Sequence, residues 1–162
     1  MNSWRKRFSV AGATLTAVFS MLTLATPPAS AADQSIALTL STPDEHCGWS
    51  RSSSTVRLTF QCDGNLVLYR ISDGHAMWAS GTYGKGSLTP DLLNFSHDGY
   101  MKLFAHPWYG SSLECIWGNS SAADGRLKVQ DDGNVVIYTS GGTPIWHTNT
   151  YGNRQGDVRD CA

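Results

Sequence analysis

The sequence predicts an all-β protein built from three copies of one module, and three observations support this prediction. The pattern Gln-x-Asp-Gly-Asn-x-Val-x-Tyr occurs at 61–69 and again at 130–138, with a degenerate copy at 96–104. A tryptophan segment follows each copy, so the repeat covers a whole module rather than one motif. Beyond residue 31, no stretch has the apolar period of an amphipathic helix.

The first 31 residues have the pattern of a secretory signal peptide. A basic cluster at 5–7 and an apolar run at 10–24 are followed by small residues at 29–31, which predicts cleavage before Ala32. A membrane anchor is the alternative, but the apolar run is short for a span and contains polar residues. We therefore expect a secreted, extracellular protein with a signal peptide at 1–31 and one domain at 32–162.

The composition of residues 32–162 argues against several classes of partner. Nine basic residues face thirteen acidic ones, a net charge of −4, whereas nucleic-acid surfaces neutralise phosphates with an excess of Lys and Arg. No apolar stretch is long enough to span a membrane. We expect no metal and no cofactor, because the histidines lack ligand spacing to the cysteines and the calcium-loop ligand series is missing.

All four cysteines lie in the part that is expected to be exported. An even number in an oxidising compartment indicates two disulfides, for which three connectivities exist. We favour Cys47–Cys62, which brackets a predicted hairpin, together with Cys115–Cys161, which would hold the C-terminus.

Each module is expected to form a small sheet. In the first, apolar residues alternate over 56–60, a turn signal follows, and two further strands cover 65–70 and a segment ending near Trp78. Gly-containing turn signals at 72–74 and 140–142 separate the last two strands of modules one and three. Because a lone small sheet is unstable, three such sheets must pack on a common core, which the tryptophans are suited to fill.

The motif hairpin can close in two ways. A two-residue Asp63-Gly64 turn would pair Gln61 with Leu66, so that Gln61 faces away from Asn65. A three-residue loop with Gly64 in the left-handed conformation would pair Gln61 with Asn65 instead. The second geometry places the motif side chains on one outward face. It also directs the intervening apolar residues inward: Leu66 and Leu68, Met101 and Leu103, Val135 and Ile137.

The predicted outward face has the chemistry of a sugar site. Carboxylates accept hydrogen bonds from hydroxyls, side-chain amides and tyrosine both donate and accept, and valine can cover a C–H face. The plainer interpretation is that Asp-Gly-Asn only forms a turn and that Val and Tyr only suit a strand. That interpretation does not explain why Gln, Val and Tyr recur at identical offsets.

The motif Gln-x-Asp-x-Asn-x-Val-x-Tyr resembles the signature of the bulb-type, monocot mannose-binding lectin family. The segment Trp-Ala-Ser-x-Thr after the first motif is similar to the next strand of that family. The resemblance implies a β-prism II fold of three pseudo-symmetric antiparallel sheets, with a shallow, metal-free mannose site on each intact sheet. It implies mannose-containing glycans as multivalent partners. Family members often form a homodimer by exchanging C-terminal strands, whereas a tail held through Cys161 would oppose that exchange in this chain.

Carried over by position, the resemblance implies two intact sites and one degenerate site. In the family the polar residues bond mannose hydroxyls and the valine packs on the ring. Site 1 comprises Gln61, Asp63, Asn65, Val67 and Tyr69. Site 2 comprises Gln130, Asp132, Asn134, Val136 and Tyr138. The degenerate site comprises Ser96, Asp98, Tyr100, Lys102 and Phe104, of which only the aspartate keeps the motif.

Two other functions remain as alternatives. A hydrolase would need a carboxylate pair, but the motif aspartates belong to separate predicted sheets and Gly-x-Ser-x-Gly is absent, so we do not expect an enzyme. A lectin-like scaffold used for protein contact, as in a bacteriocin, toxin or inhibitor, is the stronger alternative. Bacteriocins that resemble this family generally use two linked domains, and this chain has room for one.

Overall fold

The computed structural model describes residues 34–38, 44–106 and 110–161. The predicted signal peptide at 1–31 lies outside these residues. Within them, the chain forms twelve strands and three short 3₁₀ helices, and the strands assemble into three antiparallel four-stranded sheets. The all-β prediction is therefore confirmed. The 3₁₀ helices cover Gly86–Leu88, Ser120–Ala122 and Tyr151–Asn153.

Each sheet contains one motif, and we name it by its module. The module-one sheet consists of β3 (Ser50–Ser52), β4 (Val56–Phe60), β5 (Leu66–Arg70) and β6 (Ala76–Ala79). The module-two sheet consists of β2 (Glu45–His46), β7 (Leu92–Phe95), β8 (Tyr100–Ala105) and β9 (Ser112–Gly118). The module-three sheet consists of β1 (Gln34–Ala37), β10 (Arg126–Val129), β11 (Val135–Tyr138) and β12 (Pro144–His147).

The fourth strand of each sheet comes from the segment that precedes the first motif. Each sequence repeat supplies three consecutive strands, and β1, β2 and β3 then add one edge strand to modules three, two and one respectively. The three repeats are therefore not self-contained units. The N-terminal segment connects all three sheets.

The inner faces of the sheets meet on a core that contains the three repeated tryptophans. The ring centroids of Trp78, Trp117 and Trp146 lie 5.4, 5.7 and 5.9 Å apart, so each ring packs against the other two. Tilted and edge-on pairs at these separations are favourable beyond the area that they bury. All six apolar motif residues that we expected to face inward are fully buried, and the shared tryptophan-containing core is confirmed.

The motif hairpins close with the three-residue loop. Gln61 N donates to Asn65 O at 2.8 Å, and Gly64 N donates to Gln61 O at 3.0 Å. Gly64 has φ of +84°, the left-handed conformation that glycine adopts at least cost. A Cβ here would also lie 2.7 Å from Pro90 Cδ, so close packing excludes a larger residue. The hairpins of modules two and three repeat both backbone hydrogen bonds.

Both predicted disulfides, Cys47–Cys62 and Cys115–Cys161, are present. The second joins β9 to a C-terminal tail, residues 156–161, that runs beside β6. Gly156 N donates to Met77 O at 2.8 Å, and Cys161 N donates to Ser80 O at 2.8 Å. The tail therefore covers the edge of the module-one sheet in the same chain. In the described part of the chain, no helix is long and apolar enough to cross a membrane.

Candidate functional site

The module-one site lies on the outer face of the β4–β5 hairpin. Gln61 Nε2 donates to the Tyr69 hydroxyl at 2.9 Å. In the strand register, Gln61 pairs with Asn65 beside the turn, whereas Tyr69 pairs with Arg57 farther along. Val67 lies between these two levels, so the Gln–Tyr hydrogen bond passes over it. The bridge fixes two polar side chains while leaving Gln61 Oε1 as an acceptor and the Tyr69 O–H as a donor.

The exposed aspartate of this site is held by its own turn. Asp63 Oδ1 accepts a hydrogen bond from Asn65 N at 3.0 Å, the geometry of an Asx-turn. This bond fixes the carboxylate at the edge of the hairpin. The second oxygen, Oδ2, has no hydrogen-bond partner among the described residues and is available to an incoming hydroxyl.

The asparagine amide is oriented from behind by the strand that follows. Asn65 Oδ1 accepts from Ser80 Oγ at 2.9 Å and from Gly81 N at 3.0 Å. Because a backbone N–H can only donate, these contacts identify the inner atom as the oxygen. Thr82 Oγ1 donates to Gly64 O at 2.6 Å and secures the same turn. Asn65 Nδ2 has no partner in the described part of the chain, so it can donate outward.

The module-three site repeats this arrangement, but the hydroxyl behind its asparagine comes from a different residue type. Gln130 Nε2 donates to the Tyr138 hydroxyl at 3.1 Å, and Asp132 Oδ1 accepts from Asn134 N at 2.9 Å. Asn134 Oδ1 accepts from Thr148 Oγ1 at 3.0 Å and from Thr150 N at 3.2 Å. Threonine thus replaces serine as the donor behind the asparagine, and Thr150 Oγ1 donates to Gly133 O at 2.7 Å.

The two motif valines are less exposed than we expected for residues on the outward face. Val67 and Val136 lie on that face, but only 2% and 3% of their surfaces are exposed. Neighbouring strands flank each valine, and the Gln–Tyr bridge covers it. The valine therefore lies beneath the Gln–Tyr bridge and is not a free platform.

The degenerate motif of module two is occupied by its own side chains. Lys102 Nζ lies 2.7 Å from Asp98 Oδ2 and 5.1 Å from the centre of the Tyr100 ring. Burial raises the pKa of Asp98, but hydrogen bonds from Lys102 and Ser96 outweigh it and bring the pKa below its ordinary value of 3.8. An ionised pair replaces the free acceptor of the intact motifs. Phe104 lies two residues beyond Lys102 on β8, opposite Leu92 of β7.

Sequence reasoning did not assign a role to the Ser and Thr residues behind each asparagine. Ser80 and Thr82 follow Trp78 by two and four residues, and Thr148 and Thr150 follow Trp146 by the same offsets. The sequence shows this recurrence, because modules one and three each have a hydroxyl residue two and four positions after the tryptophan. In module two the corresponding first position is Asn119, which has no hydroxyl and accepts instead from Ser121 N at 2.8 Å.

The residue before each motif aspartate ties the binding turn to a neighbouring segment. In module three, Asp131 Oδ1 accepts from both the N and the Oγ of Ser54, at 2.8 and 2.6 Å. In module one the same position is Cys62, which is bonded covalently to Cys47. The variable second position of the motif therefore anchors the turn, by hydrogen bonds in one module and by a disulfide in the other.

No protein-family model matches the chain, and no curated protein does. Several solved structures are similar. A Japanese Marasmius oreades lectin is 24% identical with a TM-score of 0.54, over 68% of this chain and 88% of its own. A monomeric monocot mannose-binding lectin from Gastrodia elata is 27% identical with a TM-score of 0.52, over 74% of this chain and 98% of its own.

Scilla campanulata agglutinin, a fetuin-binding two-domain lectin, is 28% identical with a TM-score of 0.53. The match covers 72% of this chain and 52% of the agglutinin, so this chain spans about half the length of the two-domain lectin. The resemblance of the present chain to the bulb-type lectin family is confirmed. The β-prism II architecture expected from that resemblance is confirmed as well.

The bulb-type lectin fold places each candidate site on the face of a single sheet. The motif residues of modules one and three come from adjacent strands of one hairpin, and their supporting hydroxyls come from the segment after the next strand. The two sites therefore form separately. They share the core beneath them, but each has its own polar residues.

Proposed function

We propose that the protein is a secreted lectin that binds terminal mannose, without a metal, through the sites of modules one and three. The observation that carries this proposal is the set of unused polar atoms above each buried valine. In module one, Asp63 Oδ2 and Gln61 Oε1 can accept, and Asn65 Nδ2 and the Tyr69 hydroxyl can donate. Module three offers the same four groups at equivalent positions.

This combination suits a sugar better than it suits a peptide or a small ion. Each sugar hydroxyl is both a donor and an acceptor, so adjacent hydroxyls can be bonded by a carboxylate on one side and by an amide on the other. The carboxylate contributes most, since hydrogen bonds to charged groups are about twice as strong as neutral ones. The valine supports the Gln–Tyr bridge from below, and its exposed surface of 2–3% allows only a marginal contact with ring C–H groups.

The position of these groups on the outer surface of the sheet predicts weak binding at a single site. Four or five hydrogen bonds to one sugar, made at the surface, correspond to a Kd of about 1 mM, or about −4 kcal/mol. Two sites on different sheets can bind two mannoses of one glycan-bearing surface, and the second event then becomes intramolecular. We therefore expect strong retention only on surfaces that display many mannoses.

We propose a binding function rather than catalysis. The exposed aspartates of the two intact motifs lie on different sheets, so they do not form the carboxylate pair that glycoside hydrolysis uses. The cysteines, which form two disulfides, suit the oxidising environment of a secreted protein.

Titration with methyl α-mannoside, followed by NMR, tests the proposal. We expect the backbone amides of Asn65 and Asn134 to shift with saturation at two sites per chain, and the amide of Tyr100 to stay unchanged. One site or three would refute the assignment. A glycan array on the mature protein should then show retention on terminal mannose.

A protein-contact role is the second candidate, and the outer face of the module-two sheet favours it. Leu113 and Ile116 of β9 are 49% and 45% exposed there, and they pair with Phe104 and Lys102 of the degenerate motif. If the protein bound no glycan of the array, this role would be favoured over mannose binding. Exposed apolar residues of this kind often mark contact sites.

A further inference from the structure

A cavity of about 300 Å³ lies beside the module-three site, at the edge where the module-three hairpin meets the module-one sheet. Its lining comes from the β3–β4 turn, the end of β5, the β5–β6 turn and the 3₁₀ helix after β12. The lining residues are Ser54, Thr55, Arg70, Ile71, Ser72 and Asn153. The volume is at the lower end of the range for small-ligand sites, which suits a single sugar ring.

The walls of this cavity are joined directly to the turn that carries Asp132. Ser54 forms hydrogen bonds with Asp131, which precedes Asp132. Asn153 packs against Gly133, which follows Asp132. A Cβ on Gly133 would lie 2.7 Å from Asn153 Oδ1. Thr55 Oγ1 also donates to Asp131 O at 2.9 Å. The turn that carries the proposed mannose carboxylate is therefore attached to the wall of the cavity.

The lining combines hydroxyl oxygens with an apolar side chain. Ser54 and Thr55 use their hydroxyl hydrogens on Asp131, so their oxygens keep lone pairs that can accept from a ligand. Ser72 is exposed, and its hydroxyl can donate or accept. Ile71 is 50% exposed and offers an aliphatic surface beside these groups. Hydroxyl groups next to an aliphatic surface match the two faces of a pyranose.

The positive charge of Arg70, the cationic residue of the cavity, is paired with the carboxylate of Asp73. Arg70 Nη1 lies 2.8 Å from Asp73 Oδ2, and Arg70 Nη2 donates to Asn153 O at 2.9 Å. The backbone N–H of His75 and the Arg70 guanidinium hold the pKa of Asp73 below its ordinary value of 3.8, so this carboxylate is ionised near neutral pH. The charge of Arg70 is therefore paired, while its buried Nε and the buried Oδ1 of Asn153 have no hydrogen-bond partner among the described residues and can bond a neutral ligand.

We propose that this cavity is a second sugar subsite, so that the module-three site binds a neutral oligosaccharide whereas the module-one site binds a single mannose. The inference rests on the proposed mannose site at Asp132. At module one the surroundings of the turn are different, because Thr89 and Pro90 pack under Gly64 and the disulfide replaces the Ser54 tether. The two motifs are identical in their five residues, and the neighbouring sheet makes them unequal.

The test compares methyl α-mannoside with a panel of α-linked methyl dimannosides on the full mature chain. Site-resolved NMR titration uses the Asn65 amide for module one and the Asn134 amide for module three. We expect the best dimannoside to bind module three about tenfold more tightly than the monosaccharide does, and to bind module one within about twofold of it. In Ile71→Ala/Ser72→Ala, the dimannoside advantage at module three should fall below about twofold.

Ser140→Ala is the matched control, since Ser140 is an exposed turn residue at the opposite end of β11. It should keep the full dimannoside advantage. Equal affinities of mono- and disaccharide at module three would overturn the subsite and leave the proposed function intact. An advantage that survives in Ile71→Ala/Ser72→Ala, or that is equal at both modules, would also overturn it. Failure of methyl α-mannoside at both sites would overturn the proposed function and the subsite together.

Discussion

Replacing the two motif aspartates separates their role in binding from their role in the turn. Each aspartate uses Oδ1 to accept the N–H of the asparagine two residues on, and presents Oδ2 outward. Asparagine keeps the inner acceptor but replaces the outer carboxylate oxygen with an amide donor. Alanine removes both. The variants Asp63→Asn/Asp132→Asn and Asp63→Ala/Asp132→Ala should therefore differ in stability while both lose mannose binding.

The expected magnitudes follow from the contacts. A hydrogen bond to a charged group contributes about 1.5–3 kcal/mol, which is a large share of the roughly −4 kcal/mol of a millimolar site. Either double variant should thus weaken methyl α-mannoside binding by about tenfold to a hundredfold. In the alanine variant, each lost turn bond should cost about 0.5–1.5 kcal/mol of unfolding free energy. A domain stable by about 5–15 kcal/mol remains folded after both losses.

NMR titration measures the affinity, and urea denaturation measures the unfolding free energy. Asp98→Asn serves as the control, because Asp98 pairs with Lys102 and lacks the Gln, Asn and Tyr of an intact motif. It should leave mannose binding unchanged. Wild-type affinity in the Asp63→Asn/Asp132→Asn variant would refute the role of the carboxylates. An unfolded alanine variant would show that the motif is mainly structural.

Three further predictions concern single contacts. Lys102→Met should raise the pKa of Asp98 in an NMR pH titration. Because the folded pKa is lowered, the pair stabilises the fold above about pH 4, and acid should remove less stability from the variant than from the wild type. Cys47→Ser with Cys62→Ser should lower the unfolding free energy by about 2–4 kcal/mol and weaken mannose binding at module one alone. Equal weakening at both sites would contradict a local tether. Ser80→Ala should cost about 1–3 kcal/mol of unfolding free energy, because the buried Leu66 N–H loses its acceptor at 3.0 Å. A variant as stable as wild type by denaturation would show that the hydroxyl is not needed.

The sequence by itself determined the features that depend on local backbone geometry. Alternation of apolar and polar residues sets which side chains of a strand face the core, so the burial of Leu66 and Leu68 was predictable. The glycine after each motif aspartate predicted a tight hairpin turn there, although the structure had to choose the three-residue loop that puts Gln61 opposite Asn65. The repeat itself predicted three equivalent sheets, and the tryptophan at a constant offset predicted their common core.

Only the tertiary structure decided what surrounds each motif. Whether Asn65 points its amide outward depends on Ser80 and Gly81, which lie on a later segment. Whether a motif aspartate is free or paired depends on Lys102 in module two, which competes for the position of a ligand. The contacts between sheets, including those that make the cavity beside Asp132, join residues far apart in the chain. Contacts between residues far apart in the chain leave no regular pattern in the sequence. Strand alternation does leave one, and each motif turn is marked by its Asp-Gly.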